Sequence, residues 1–239
     1  ITATQTAAVQ ASENRRVRVF SIPTVFYPAG FPRQVFPFVF AVSCSMLFPA
    51  MSRVLPIRTY GDPVLRKPAR PVAAITPEIE AFIGDLFHTM RAAEGVGLAA
   101  QQVGRTEAIC VIEMPAAYDV EEEGGPRLNP DVPLSLALVN PKIVEASAKT
   151  CSMEEGCLSF PDIRGSVERP WSVVIEHLGL DGQPKQTKLN GFFARAAQHE
   201  LDHLAGELFI DLFSYVKKLA VRTKLKNLQA ETLDKLQPV

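Results

Sequence analysis

The sequence predicts an α+β domain in which a mainly antiparallel β-sheet packs around a central helix, with a further helix near each end of the domain. Three segments have the apolar period or the capping residues of a helix, and the segments between them have the apolar runs and turn signals of strands. The strands are joined by hairpin-like connections, without the regular strand–helix alternation that builds a parallel sheet. With 239 residues, 47% of them apolar, the chain can bury one sizeable core.

The composition restricts the class of partner. The formal net charge is -1 and the pI is near 6.5, so the bulk balance predicts neither DNA binding nor attachment to a membrane. The four cysteines have no regular spacing and are too few for a secreted disulfide framework in a chain of this length. A reducing compartment fits better, with any special cysteine acting as a ligand or a nucleophile.

Residues 1–50 differ in composition from the rest. They contain seven of the 14 phenylalanines and no lysine, and prolines interrupt their apolar run 35–50, which is too short for a membrane span. The segment fits an organellar transit peptide, run 35–50 faintly resembles a signal-peptide core, and upstream sequence translated before Met51 is a third interpretation. We predict a disordered, cleaved or non-native leader over residues 1–50 and a folded domain over residues 51–239. A genuine transit peptide would place the protein in a mitochondrion or plastid, and a bacterial source would place it in the cytoplasm.

The first predicted helix begins after Thr76, which can cap it, and has Pro77 at its first position. The segment 95–102 that follows is too small and glycine-rich for a good helix or strand, and its backbone is open to close approach. The helix has one stripe of apolar residues, which Gly95 ends, and these are Ile79, Phe82, Ile83, Leu86, Phe87 and Met90.

The middle of the chain is predicted to consist of strands and one long loop. Residues 108–114 form a strand, and residues 115–133 form a loop whose acidic run we interpret as a solvated insertion. Residues 134–139 and 142–146, divided by Asn140-Pro141, resemble a strand pair.

Further strands are predicted around Val167 and over 173–178 and 185–189, the last two joined by the turn Asp181-Gly182. The central helix covers 192–205, with Asn190 as its cap and Gly206 as its stop. A last helix runs from about residue 214 to residue 228, and its basic residues are Lys217, Lys218, Arg222, Lys224 and Lys226.

The central helix carries the pattern His199-Glu200-Leu201-Asp202-His203. Histidines four positions apart lie on the same helix face, so both imidazoles can reach one ion, and Glu200 flanks that ion without binding it. A short pattern with two variable positions also arises by chance, and two solvent-facing histidines are the alternative interpretation. The pattern favours a metal site on this helix.

A catalytic metal site of this kind needs a third protein ligand and a position left open for water. No histidine follows His203, and the other two have ordinary explanations, His88 in the first helix and His177 on a strand surface. Among the softer ligands Cys157 stands out, because Gly156 beside it frees the backbone. We interpret the remaining cysteines as buried, inert thiols, and they are Cys44, Cys110 and Cys151.

Three blocks occur in order along the chain, and they are Gly95-Val96-Gly97-Leu98-Ala99-Ala100-Gln101-Gln102, Glu155-Gly156-Cys157-Leu158-Ser159 and Gln198-His199-Glu200-Leu201-Asp202-His203. Together they resemble the three motifs of the peptide deformylase family, whose members remove the N-formyl group from nascent bacterial and organellar proteins. The resemblance extends from about residue 54 to residue 214. It does not cover residues 1–50, and the loop 115–133 is longer than the family's usual connection.

The resemblance implies a hydrolase that releases formate from the N-terminal formyl-methionine of nascent polypeptides. It implies that Cys157, His199 and His203 bind one divalent metal, with water in the fourth position. A thiolate with two imidazoles suits iron(II), zinc, nickel or cobalt better than magnesium or calcium, and among these we expect iron(II).

The resemblance also implies roles for five further residues. Glu200 takes a proton from the attacking water and later returns it to the amine, while the Gln102 side-chain amide and the Leu158 backbone N–H stabilise the oxyanion. Gly97 marks a close passage of the substrate backbone, and Arg164 contacts that backbone or its carboxylate end. The ordinary alternatives are a loop glutamine that bonds its own backbone, a turn glycine and an exposed arginine.

The expected partners are formyl-methionyl nascent peptides. The basic last helix is expected to dock on ribosomal RNA near emerging chains, because phosphate contacts are the main electrostatic term in such binding. A solvated charged helix face is the alternative.

Three other functions remain open at the level of sequence. A zinc endopeptidase would need a third ligand other than Cys157, and would retain metal in Cys157→Ala. A closed structural metal site would be little affected by Glu200→Ala. A cysteine hydrolase with Cys157 as its nucleophile would form a thioester and be indifferent to chelators.

Overall fold

The structure, a computed structural model, describes residues 52–237, and the predictions for residues 1–50 lie outside that range. The described residues form an α+β fold, as the sequence predicts. Among residues 52–237, no helix is both long and apolar enough to cross a bilayer. The helices and strands in chain order are α1 (Pro77–Ala92), β1 (Gly97–Ala99), β2 (Ile109–Glu113), β3 (Ser135–Ala146), β4 (Thr150–Gly156), β5 (Arg164–Pro170), β6 (Ser172–Leu178), β7 (Pro184–Asn190), α2 (Gly191–Ala205) and α3 (Tyr215–Leu236).

The strands form two antiparallel sheets. A five-stranded sheet has the order β1-β2-β3-β6-β7, and β4 and β5 form a separate two-stranded sheet. Alternate residues of β2 enter different cores, because successive side chains of a strand point to opposite faces. Cys110 and Ile112 pack with residues of α2, whereas Ile109 and Val111 pack with residues of α1. The large sheet is therefore covered on both faces, and α2 is the central helix.

The last helix packs on the beginning of the described chain. In α3, Val221 and Thr232 are buried, and the Thr232 hydroxyl lies 2.7 Å from the hydroxyl of Thr59. A β-carbon at Gly61 would lie 3.0 Å from the backbone of Gln229, so this contact is also a close approach of two backbones. The two ends of the described chain are thus held together.

The helices begin where the sequence predicts, but two of them end elsewhere. Thr76 caps α1 by accepting from the Ile79 N–H at 3.3 Å, yet α1 ends at Ala92 and not at Gly95. Gly206, with a φ of 78°, ends α2 as predicted. The predicted end of α3 at residue 228 is wrong, because the helix continues to Leu236.

Asn190 occupies the cap position of α2, but its side chain does not cap the helix. Its amide nitrogen lies 3.2 Å from the Leu128 carbonyl and 3.3 Å from the Asn129 side-chain oxygen. Asn190 therefore holds the loop 115–133 against the start of α2. The acidic run of that loop, Glu121-Glu122-Glu123, is exposed, as predicted.

The prediction that segment 95–102 has no regular structure is wrong. Gly97–Ala99 forms β1, which pairs with β2, and Ala100–Val103 forms a 3-10 turn. The small residues have little strand preference of their own, but pairing with a buried strand outweighs it.

The predicted strand pair 134–139 and 142–146 is one continuous strand, β3. Asn140 has a φ of 52°, and the register of β3 against β6 shifts between residues 139 and 142, so Asn140-Pro141 forms a bulge and not a turn. The Asn140 side chain accepts from the Val72 N–H and donates to the Val72 carbonyl, both at 2.8 Å. These bonds stabilise the left-handed backbone conformation.

Strand β4 was not predicted, because it has few apolar residues. It pairs with β5 over seven residues, which places Glu155 opposite Gly165 and Gly156 opposite Arg164. The chain leaves β4 directly into Cys157, so this small sheet positions the second sequence block against α2.

Candidate active site

Helix α2 presents two imidazoles on one buried face. His199 is 4% exposed and His203 is 1% exposed, and their ring centroids are 5.2 Å apart. Their four-residue spacing places one ring above the other, facing the loop that follows β4. The alternative of two solvent-facing histidines is therefore wrong.

Cys157 meets these histidines from the end of β4. Its Sγ lies 3.2 Å from His203 Nε2. Three potential ligand atoms, one from each of Cys157, His199 and His203, all lie within 4.8 Å of one another. Burial lowers the pKa of His203 well below its usual value, so this imidazole is held in the neutral form that binds metal. A thiolate and two imidazoles at this spacing fit a first-row transition metal.

Glu155 holds His199 from the side away from Cys157. Its carboxylate accepts from His199 Nδ1 at 3.0 Å, from Arg169 Nε at 2.6 Å and from Arg195 Nη1 at 2.5 Å. Burial disfavours the charged carboxylate, but the hydrogen bonds from His199 and Arg169 outweigh burial and hold the pKa of Glu155 at about 2. Because Nδ1 is engaged with Glu155, Nε2 is the nitrogen left to a metal.

The two arginines of this network were not predicted from the sequence. Arg169 reaches further along α2 and pairs with Asp202 at 2.8 Å, and Arg195 also bonds the Val167 carbonyl at 3.0 Å. Arg195 lies four residues before His199, so a search for charged residues on the histidine face of the helix could have found it.

Glu200 lies beneath β1. It is 4% exposed, and its Oε2 has no hydrogen-bond partner among residues 52–237. Burial raises the pKa of Glu200 to about 7. A β-carbon at Gly97 would lie 2.8 Å from Glu200 Cδ, so only glycine at this position leaves room for the carboxyl group. The neighbour of Gly97 in the structure is Glu200, and the predicted passage of the substrate backbone at Gly97 stays a prediction.

Gln102 is 1% exposed and uses both atoms of its side-chain amide. The oxygen accepts from the Ala99 N–H at 2.8 Å, as in the alternative of a glutamine that bonds its own loop. The nitrogen lies 3.4 Å from both Cys157 Sγ and Ser159 Oγ. A donor is therefore held on the Cys157 side of the site.

Leu158 and Arg164 flank Cys157 on two sides. A β-carbon at Gly95 would lie 2.8 Å from Leu158 Cδ1, so Leu158 lies against the segment that leads into β1. Arg164 lies opposite Gly156 in the small sheet and pairs with Glu154 at 3.6 Å. Its side chain is 30% exposed, which places Arg164 at the rim of the site.

Within residues 52–237, the other histidines and cysteines lie outside this cluster. His88 is exposed on α1, as predicted, whereas the prediction for His177 is wrong, because it is 6% exposed and bonds Thr187 Oγ1 at 2.9 Å. Cys110 is fully buried, and burial raises the pKa of its thiol well above the usual value. Cys151 is only half-buried, contrary to prediction, and Cys44 lies outside the described residues.

Comparisons with known proteins agree with this geometry. The family model described as polypeptide deformylase matches residues 54–219. The chain is 40% identical over 182 residues to the peptide deformylase of Brucella suis biovar 1 (strain 1330), covering 76% of this chain and 97% of that protein. A solved peptide deformylase from Plasmodium falciparum superposes with a TM-score of 0.66 at 35% identity, covering 76% of this chain and 99% of that one. A plant peptide deformylase gives a TM-score of 0.68 at 32% identity, covering 79% of this chain and 96% of that one.

Proposed function

The chain belongs to the polypeptide deformylase family, and we propose that Cys157, His199 and His203 bind the metal on which its activity depends. The protein is a hydrolase that removes the N-formyl group from nascent polypeptides. One observation above all supports the ligand assignment: a sulfur and two ring nitrogens from two distant segments lie within 4.8 Å of one another in a largely buried site.

Iron(II) is the proposed metal. A set of one thiolate and two imidazoles suits iron(II), zinc, nickel and cobalt, whereas magnesium and calcium prefer oxygen ligands. A divalent cation held there supplies Lewis-acid activation of water near neutral pH. The three ligands and Glu155, which bonds His199 at 3.0 Å, are the residues of this chain that would hold it.

Glu200 is the proposed general base and acid. Its carboxyl group accepts a proton from the attacking water and returns a proton to the departing amine. The pKa of about 7 that burial gives this carboxyl is close to the value at which one group performs both transfers at neutral pH. The absence of a hydrogen-bond partner for its Oε2 among residues 52–237 supports this role, because a buried carboxylate oxygen is normally paired.

The developing charge on the formyl oxygen needs donors that are already in place. We assign these to the Gln102 side-chain nitrogen and the Leu158 backbone N–H. The position of the Gln102 nitrogen 3.4 Å from Cys157 Sγ supports this assignment. Gly97 and Arg164 remain the proposed contacts for the peptide that follows the formyl-methionine.

The test is to purify the full chain without oxygen, analyse its metal and measure formate release from a formyl-methionyl peptide. Oxygen is excluded because both iron(II) and a thiolate are open to oxidation. Glu200→Ala should keep the metal but lose about 100-fold or more in kcat, since a positioned general base contributes that much. Cys157→Ala should lose the metal. Retention of metal by Cys157→Ala would contradict the ligand assignment, and activity insensitive to chelators would favour a cysteine hydrolase.

We also propose that α3 docks the enzyme on ribosomal RNA. Lys218, Arg222, Lys224 and Lys226 are exposed on this helix, which supports a phosphate-binding surface. Co-sedimentation with ribosomes should weaken as salt rises, and Arg222→Glu should weaken it more than Lys188→Glu, a matched change on the exposed edge strand β7. Sedimentation that is independent of salt would contradict this proposal.

A further inference from the structure

A cavity of about 490 Å³ opens between the beginning of β5 and the N-terminal half of α3. Neither the proposed metal ligands nor the residue proposed for proton transfer lines this cavity. The residues that line it are Asp162, Arg164, Lys217, Ala220, Val221 and Lys224.

Three cations and one carboxylate line this cavity, so it is electropositive. Two of the three cations bond a polar neighbour. Arg164 pairs with Glu154 at 3.6 Å, and the Lys224 Nζ donates to the Asp162 carbonyl at 3.3 Å. The half-buried Lys217 packs against Gly165, where a β-carbon would lie 2.8 Å from Lys217 Cε. The bonds of Arg164 and Lys224 orient these two side chains before any ligand arrives, which reduces the entropy cost of binding an anion.

The basic residues of α3 fall on two different faces. Lys217 and Lys224 are seven positions apart and share a face with Ala220 and Val221, because i, i+3, i+4 and i+7 lie along one side of a helix. Arg222 and Lys226 do not line the cavity and project from another side of the helix. Lys217 and Lys224 therefore lie on a different face of the helix from Arg222 and Lys226, although Lys224 is itself exposed.

The cavity begins next to the proposed metal ligands. Arg164 is paired with Gly156 across the small sheet, and Cys157 is the next residue. Paired Cα atoms in an antiparallel sheet are about 5 Å apart, and an extended peptide advances about 3.3 Å per residue. A peptide whose formyl group lies at Cys157 can therefore reach the cavity with a side chain about three or four residues along.

We infer that this cavity receives an acidic side chain of the substrate peptide, at its third or fourth residue, and so gives the enzyme a preference among nascent chains. The inference rests on the proposed function, since it takes the Cys157 cluster as the place of deformylation. Lys217 and Lys224 contribute to the preference from α3, and Arg164 contributes from β5.

The test uses the full-length metal-loaded enzyme and two pairs of formyl-methionyl pentapeptide amides. Within each pair the peptides differ only by glutamate or glutamine, at the third residue in one pair and at the fourth in the other. At low salt we expect kcat/KM for the glutamate peptide of at least one pair to exceed that of its glutamine partner by about 5-fold, as several partly exposed ion pairs would give. In about 0.5 M salt the ratio should approach one, because the charges are then screened.

Two substitutions distinguish binding of the acidic side chain in the cavity from attraction by the overall charge of the protein. Lys224→Glu should bring the ratio to one or below, whereas Lys226→Glu, the same change two residues along the helix, should largely preserve it. The glutamine peptides report in each variant whether the enzyme remains folded and loaded.

Equal kcat/KM within both pairs for the unmodified enzyme would overturn the inference, and so would an equal loss of preference in the two variants. An enzyme that deformylates none of the peptides would instead contradict the proposed function. Failure of the acidic preference is therefore distinguishable from failure of the reaction.

Discussion

The two ends of the Gln102 side-chain amide have different partners. Its oxygen accepts the Ala99 N–H at 2.8 Å and so stabilises the 3-10 turn after β1, while its nitrogen is directed to the Cys157 side of the site. Because the oxygen is bonded to the backbone, the orientation of the nitrogen is fixed. A local turn bond thus orients the group that we propose as an oxyanion donor.

We predict that Gln102→Leu lowers kcat about 100-fold or more, since loss of one oxyanion donor costs about 3 kcal/mol in the transition state. Bound metal should be retained, and both quantities are measured on the same preparation. Gln101→Leu is the matched control: Gln101 is also buried in this turn, but its nitrogen donates to the Lys67 carbonyl at 3.3 Å. A Gln102→Leu enzyme with full turnover would disprove the donor role.

Among individual residues, the sequence was sufficient to predict those that a known spacing or motif marks as metal ligands. His199 and His203 are recognisable because four positions make one helix face, and Cys157 because three blocks occur together. Arg169 and Arg195 were missed, since their value depends on Glu155 being buried between them. Strand β4 has few apolar residues, so no periodic pattern in the sequence indicates that Glu155 is buried.

Among the elements, β1 and α2 approach each other closely at Gly97 and Glu200. A β-carbon at Gly97 would overlap the carboxyl group of Glu200, so the short strand and the helix approach as they do because position 97 has no side chain. The strand was not predicted because its preference comes from pairing with β2.

We predict that Gly97→Ala destabilises the metal-free protein by about 1–3 kcal/mol, the usual cost of overpacking. In a Glu200→Ala background the same change should cost much less, because the carboxyl group that it would meet has been removed. Urea unfolding of the four proteins measures the coupling between the two positions. If the cost is the same in both backgrounds, Gly97 is required for another reason.

Helices were easier to predict than strands in this chain. Thr76, Pro77 and Gly206 are local signals that act on the backbone beside them, and α1 and α2 begin or end there. Asn140-Pro141 is a pair of residues typical of turns. Here, however, the Asn140 side chain bonds Val72, which is distant in sequence, and the strand continues through a bulge. A local rule fails where a distant partner decides the conformation.

In the molecule as a whole, Glu155 joins three elements. It lies on β4, bonds Arg169 of β5 and also bonds Arg195 and His199 of α2, so the small sheet is fastened to the central helix through one carboxylate. All four side chains are at most 5% exposed. The position of Cys157 at the end of β4 depends on this attachment.

We predict that Glu155→Gln lowers the free energy of unfolding by about 3–5 kcal/mol, because two arginines would remain buried without their shared carboxylate. Chemical denaturation measures this change. Glu168→Gln is the matched control on the adjacent strand, since Glu168 is exposed and bonds the Thr150 hydroxyl, and it should change stability by no more than about 0.5 kcal/mol. Similar losses for both variants would show that Glu155 does not fasten the sheet to the helix.

The contact between Thr59 and Thr232 spans 173 positions of the chain. A polypeptide emerges from the ribosome from its N-terminus, so Thr232 emerges 173 residues after Thr59. Contacts of such long sequence separation also form slowly, because a large loop must close first. An enzyme that acts on unfinished proteins therefore forms this contact of its own fold late, after the residues between Thr59 and Thr232 have been synthesised.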